Sequence, residues 1–133
     1  EKPFEVAGLT VLPVAVNHIV PTFGYIISDG KCTVILSGDT AATERIWELA
    51  AEHAPIAAVF LEASFPDSMQ ELAEISAHLT PKTFLEETRK IPGDPEIIAV
   101  HIKARYREQI ESELRGLGLD RLRIGSPSEE YVY

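Results

Sequence analysis

Four short segments of the sequence put a side chain that can bind a metal or move a proton at the end of an apolar run or the start of a helical one. They are Asn17-His18, Gly38-Asp39-Thr40, Ala77-His78-Leu79-Thr80 and Val100-His101-Ile102-Lys103. Imidazoles and carboxylates form the ligand set of a zinc- or manganese-type centre, and imidazole is also the commonest general acid or base. Sites in α/β folds are commonly built just outside the carboxyl ends of strands. Three of the four histidines fall in these segments, while His53 stands on a helical face where a structural role is expected. Taken singly, each residue has a plainer use. His18 can be a loop histidine bonded to backbone, and Asp39 a helix N-cap, a task open to Thr40 as well. His78 can bond to the helix that starts near Thr80, and His101 can be a buried strand-end histidine. The histidines lie too far apart for a compact signature such as H-E-x-x-H. Spacing alone reaches a candidate metal site and no further.

The elements that must position these residues follow from periodicity and turn chemistry. Phe4 to Val16 reads as two short strands broken at Gly8 and Pro13. Thr22 to Ser28 and Lys31 to Leu36 are β-forming runs separated by Asp29-Gly30, a hairpin signal because both turn positions favour positive φ. A helix is expected from after Thr40 to about His53, with Ile46, Leu49, Ala50 and His53 on one face. Ile56 to Leu61 is nearly all apolar, as in a strand covered on both faces. Ser68-x-x-Glu71 reads as a capping box opening a short helix with Leu72 and Ile75 inside. Thr80-Pro81 caps a further helix carrying Phe84, Leu85, Thr88 and Ile91. Glu96 to His101 is another buried strand, and Tyr106, Ile110, Leu114 and Leu117 mark an amphipathic helix ending near Gly116 and Gly118. Leu122 to Ile124 reads as a last strand, followed by a polar tail. Strands first, then alternating helices and strands, give an α/β fold with a mixed sheet flanked by helices.

Length and composition narrow the functional classes. The 133 residues suit a single domain, residues 1–133, with no linker or internal repeat. A net charge of -9 disfavours nucleic acid and anionic lipid as partners, since both recruit basic surface. It leaves room for a small anionic substrate, because a bound metal inverts the local field. No run of about 18 apolar residues spans a membrane. The single cysteine, Cys32, excludes an internal disulfide and is read as a buried small hydrophobe. Opening at Glu1 without Met, the chain is expected to be a cut or processed piece, so no targeting signal is read from it. A cytoplasmic location is favoured, with the periplasm still open.

One ordered set of residues points further. His18-x-Val20-Pro21-x-Phe23-Gly24-Tyr25, Ser37-Gly38-Asp39-Thr40, Glu62-Ala63-Ser64-Phe65, Ser76-Ala77-His78-Leu79-Thr80 and His101-Ile102-Lys103 together resemble the second half of a metallo-β-lactamase-fold phosphodiesterase. Within that superfamily they are most similar to class II cyclic nucleotide phosphodiesterases, with ribonuclease Z a close relative. The resemblance covers Ala15 to Leu117. It implies one half of an αββα sandwich and two divalent metal ions, zinc first and manganese second. It makes His18 a ligand of one metal, Asp39 the bridging carboxylate and His101 a ligand of the other. It makes His78 a histidine facing the scissile phosphate and Glu62 the acid that orients it. Thr40 and Lys103 belong to matched motifs and are assigned a supporting or substrate-contact role.

The implied reaction is hydrolysis of a 3′,5′-cyclic nucleotide, cyclic AMP foremost, to the 5′-nucleotide. The alternatives are a ribonuclease Z-like endonuclease trimming tRNA precursors and a non-catalytic interaction domain of the same fold. The family's opening His-x-His-x-Asp-His, which supplies the remaining ligands, is absent from this sequence and is expected upstream of Glu1. The chain is therefore expected to supply half of a site, to take the N-terminal half as its partner, and by itself to be inactive and able to self-associate.

Overall fold

In a computed structural model that describes residues 1–53 and 55–133, the described residues build one seven-stranded sheet. The strands are β1 (Phe4–Val6), β2 (Leu9–Val16), β3 (Thr22–Ser28), β4 (Thr33–Leu36), β5 (Ile56–Glu62), β6 (Glu96–Val100) and β7 (Leu122–Ile124), neighbours in sequence order. The first three pairings are antiparallel and the last three parallel. Helices α1 (Arg45–Ala50), α2 (Gln70–Ile75), α3 (Pro81–Thr88) and α4 (Arg107–Arg115) connect the later strands or lead into them. This is the mixed α/β sheet expected from the order of apolar runs.

Period-2 alternation divides the sheet into two unlike faces. Leu12, Ile26, Ile35, Val59, Ile97 and Leu122 stand in register across six strands. They join Ile46, Trp47, Phe84, Ile110 and Leu114 from the helices in the core. The opposite face carries its own row, Pro13, Tyr25, Leu36, Phe60, Ile98 and Arg123. Among the described residues no helix covers it, and Phe23, Tyr25 and Leu36 are exposed. Part of that face is closed by the tail: the Tyr131 ring packs edge-on to Phe60 at 5.1 Å, and the Tyr133 hydroxyl donates to Glu96 at 2.5 Å. The tail read as merely polar is thus anchored by its aromatic residues.

Several local expectations are corrected. Pro13 does not break a strand. β1 pairs only with Leu9–Val11, so from Leu12 onward β2 is the sheet edge, where a residue lacking N–H is tolerated. The β3–β4 loop has four residues, 29–32, rather than a two-residue turn. Only Gly30 adopts positive φ, while Asp29 accepts hydrogen bonds from the Lys31 and Cys32 N–H groups. Cys32 consequently sits half-buried in this loop and not in the core. Helix α1 starts late, because the Ala41 N–H is committed to Asn17 and the Thr43 N–H to Glu87. It ends at Ala50, leaving His53 exposed beyond it. The Ser68 capping box does not form: Ser68 lies inside a 3-10 turn, Asp67–Met69, and Leu72 and Ile75 of α2 face solvent. The Thr80 cap of α3 does form, as a reciprocal box with Thr83.

Candidate metal centre

β2, β4, β5 and β6 run in the same direction, so their carboxyl ends share one edge, and every segment singled out by residue type leaves from that edge or faces it. Past β4, Ser37 bonds to Phe60 and Gly38 turns the chain at φ 65°, where an added Cβ would lie 2.7 Å from the Phe23 carbonyl oxygen. That close approach demands glycine and delivers Asp39 to the rim. Past β6, His101 itself adopts φ 54°, and Ala77 before His78 adopts φ 52°. Left-handed backbone at two non-glycine residues costs energy and tends to gather at functional sites.

Glu62 ends β5 and is buried. Its Oε1 accepts from the Thr40 N–H at 2.8 Å and from His78 Nδ1 at 2.6 Å. Its Oε2 accepts from the Ser64 hydroxyl at 2.6 Å and from the Leu79 N–H at 3.2 Å. Four donors fill the four lone-pair sites of a carboxylate. Although Glu62, His78 and His101 have ligand atoms within 4.8 Å of one another, a carboxylate so fully engaged orients its neighbours and has no lone pair left for a metal.

His18, Asp39 and His78 also bring ligand atoms within 4.8 Å of one another, and these three are only half-buried. His18 Nδ1 lies 2.9 Å from the Ala77 carbonyl oxygen and donates to it, leaving Nε2 available. The His18 and His78 rings stand 4.9 Å apart, and the His78 and His101 rings 5.6 Å. His101 Nδ1 lies 3.2 Å from Asp39 Oδ1. The structure thus gathers His18, Asp39, His78 and His101 into one cluster backed by Glu62. Imidazole nitrogen and an accessible carboxylate are the donors that a borderline divalent cation takes, so the residues fit a metal. Asp39 does not cap α1, whose N-cap is Glu44. Thr40 is completely buried. Its N–H holds Glu62, and its hydroxyl bonds to Ala41 and accepts from the Asn17 N–H. The Lys103 ammonium lies 4.7 Å from the centre of the Phe65 ring, which itself packs 5.7 Å from His78. Sequence reasoning gave Ser64 no role. The signal was its i, i+2 spacing from Glu62, which returns a side chain to the same side of an extended strand.

A family model described as a beta-lactamase superfamily domain matches residues 1–102. The chain belongs to the metallo-β-lactamase superfamily. Among solved structures it is similar to YhfI of Bacillus subtilis, a metallo-β-lactamase fold protein, at 14% identity and a TM-score of 0.75, covering 93% of this chain and 50% of YhfI. It is similar to the short form of human tRNase Z at 18% identity and a TM-score of 0.65, covering 77% of this chain and 39% of that one. It is also similar to Igni18, a metallo hydrolase of Ignicoccus hospitalis, at 20% identity and a TM-score of 0.65, covering 97% and 56%. At these identities the likeness is one of fold. The chain spans about half the length of these superfamily structures. No curated protein matches its sequence.

Proposed function

We propose that this chain supplies one half of the site of a metal-dependent phosphodiesterase that hydrolyses 3′,5′-cyclic nucleotides, cyclic AMP foremost, to 5′-nucleotides. The observation that carries the reading is the Glu62–His78 pair at 2.6 Å, set beside the cluster of His18, Asp39 and His101. His18, Asp39 and His101 would hold two divalent ions, zinc or manganese. Bound there, such ions supply an acidified water and neutralise charge on the phosphate. His78 is held through Nδ1, so its Nε2 is the atom left to face the phosphate or the departing oxygen. Glu62 fixes the orientation of the ring through Nδ1. Lys103, held on Phe65 by a cation–π contact, is assigned the contact with a phosphate oxygen. The remaining ligands would come from a His-x-His-x-Asp-His segment outside this sequence.

The human tRNase Z likeness supports a second reading, a tRNA 3′-processing endonuclease. A net charge of -9 opposes it, because nucleic-acid enzymes present basic surface. Side-by-side assays of the complete protein with zinc or manganese supplied test both. Faster turnover of cyclic AMP or cyclic GMP than of a tRNA precursor is expected, and the opposite preference transfers the assignment to the nuclease.

A further inference from the structure

Ser64 is fully buried and touches three members of the cluster at once. Its hydroxyl donates to Glu62 Oε2 at 2.6 Å, lies 2.9 Å from His101 Nδ1 and 3.3 Å from His78 Nδ1, and reaches the His101 carbonyl oxygen at 3.3 Å. A hydroxyl has one proton and two lone pairs. The shortest contact, to a carboxylate that has no proton to give, claims that proton. Toward His101 the Ser64 oxygen can then only accept, so His101 must carry its proton on Nδ1.

We propose that Ser64 is a positioning residue that extends the orienting action of Glu62 to a second histidine, fixing His101 as the Nδ1–H tautomer with Nε2 free. His78 is fixed the same way by Glu62 directly, and His18 by the Ala77 carbonyl. One buried carboxylate thereby aligns two imidazoles, and all three rings keep Nε2 as the nitrogen available to a metal or a phosphate. The strained backbone of His101 has its reason here: φ 54° brings Nδ1 onto the Ser64 oxygen. Asp39 Oδ1 also faces His101 Nδ1, but at 3.2 Å and from a side chain that is 41% exposed. It is the weaker determinant.

The inference deepens the metal-site reading, and its first test needs no metal. In 15N-labelled chain, at a pH where the imidazoles are neutral, long-range 1H–15N spectra report each ring's tautomer. The expected result is Nδ1–H for His101 in the native chain and in Ser64→Thr, which keeps the hydroxyl. Ser64→Ala should give a mixture or the Nε2–H form, and Asp39→Ala should leave Nδ1–H in place. An Nε2–H form in the native chain, or an unchanged tautomer in a folded Ser64→Ala, overturns the proposal. Should Ser64→Ala fail to fold, the native spectrum and Asp39→Ala decide alone. A zinc titration of the complete protein, native and with each Ser64 substitution, then separates the two readings. A loss of about 10–100-fold in affinity in Ser64→Ala, restored in Ser64→Thr, matches what orienting partners of ligands contribute. Native Nδ1–H with no zinc binding in any variant would refute the metal site and leave the positioning role standing.

Discussion

Removing one ring separates the two parts that His78 could play. Its Nδ1 is 2.6 Å from a saturated, buried Glu62, yet its ring is also within ligand distance of His18 and Asp39. If it serves the phosphate, His78→Ala in the complete protein lowers turnover by about 10²–10⁴-fold while bound metal, counted by elemental analysis, stays unchanged. Parallel loss of metal and activity would make it a ligand. At this scale the sequence was informative about His18, Asp39, His78 and His101, because residue type at an element end is written locally. It was silent on Ser64 and left Thr40 between two roles. What those two do depends on hydrogen bonds to Glu62, whose partners come from positions 40, 64, 78 and 79 and meet only in the folded chain.

Elements are where buried polar pairs and turn geometry decide stability. Between α1 and α3, the buried Glu87 accepts from the Trp47 indole N–H at 2.8 Å and from Lys90 at 2.5 Å, and Lys90 also donates to the Thr43 carbonyl. Glu87→Ala leaves the buried indole donor without its partner, which costs about 1–3 kcal/mol, and strips Lys90 of one of its two carboxylate partners. A lower urea midpoint with a retained fold checks it. The β3–β4 loop makes a pH prediction. The Cys32 N–H and then the Lys31 N–H hold the Asp29 carboxyl below its ordinary 3.8. A lowered folded value means that the loop's contribution is fully present above 3.8 and is lost as pH falls through the folded value. Asp29→Asn keeps the acceptor but has no such titration, so the melting-temperature gap between it and the native chain should narrow on acidification through that window. A constant gap would show that these bonds do not survive in solution. Strand runs and the Thr80 cap were legible because apolar alternation and capping chemistry are local. The starts of α1 and α2 were not: the Ala41 and Thr43 N–H groups are claimed by Asn17 and Glu87, contacts 24 and 44 residues away (41−17 and 87−43), and ahead of α2 Asp67 is tied to Glu113 and Lys82.

For the molecule as a whole, the sheet has two faces and the helices of this chain cover one. The other presents Pro13, Tyr25, Leu36 and Phe60 as neighbours across four strands, with Phe23 beside them. Phe23 is 45% exposed, Tyr25 37% and Leu36 36%. The tail shelters Phe60 through Tyr131, and Arg123 pairs with Glu129 over the β7 end, so what stays open is the β2–β4 half. A contiguous apolar patch of this kind on a soluble chain rarely stays unpaired. The isolated chain is therefore expected to fold but to associate with itself in a concentration-dependent way, or with a segment that completes the sandwich. Tyr25→Lys combined with Leu36→Lys, both on that face and away from the core row, should return it to monomer in sedimentation equilibrium. A native chain that remains monomeric at high concentration would mean that the face is satisfied as it stands. Metal binding by the same preparation should be weak. On the proposed assignment His18, Asp39 and His101 would give three protein ligands for two ions, where a tight zinc site uses about three or four apiece. Calorimetric titration with zinc should accordingly show low affinity, and a cyclic AMP assay almost no turnover. Tight binding of two ions with substantial turnover would mean that the chain already holds a complete site, and that the ligands assigned to a missing segment lie among its own residues.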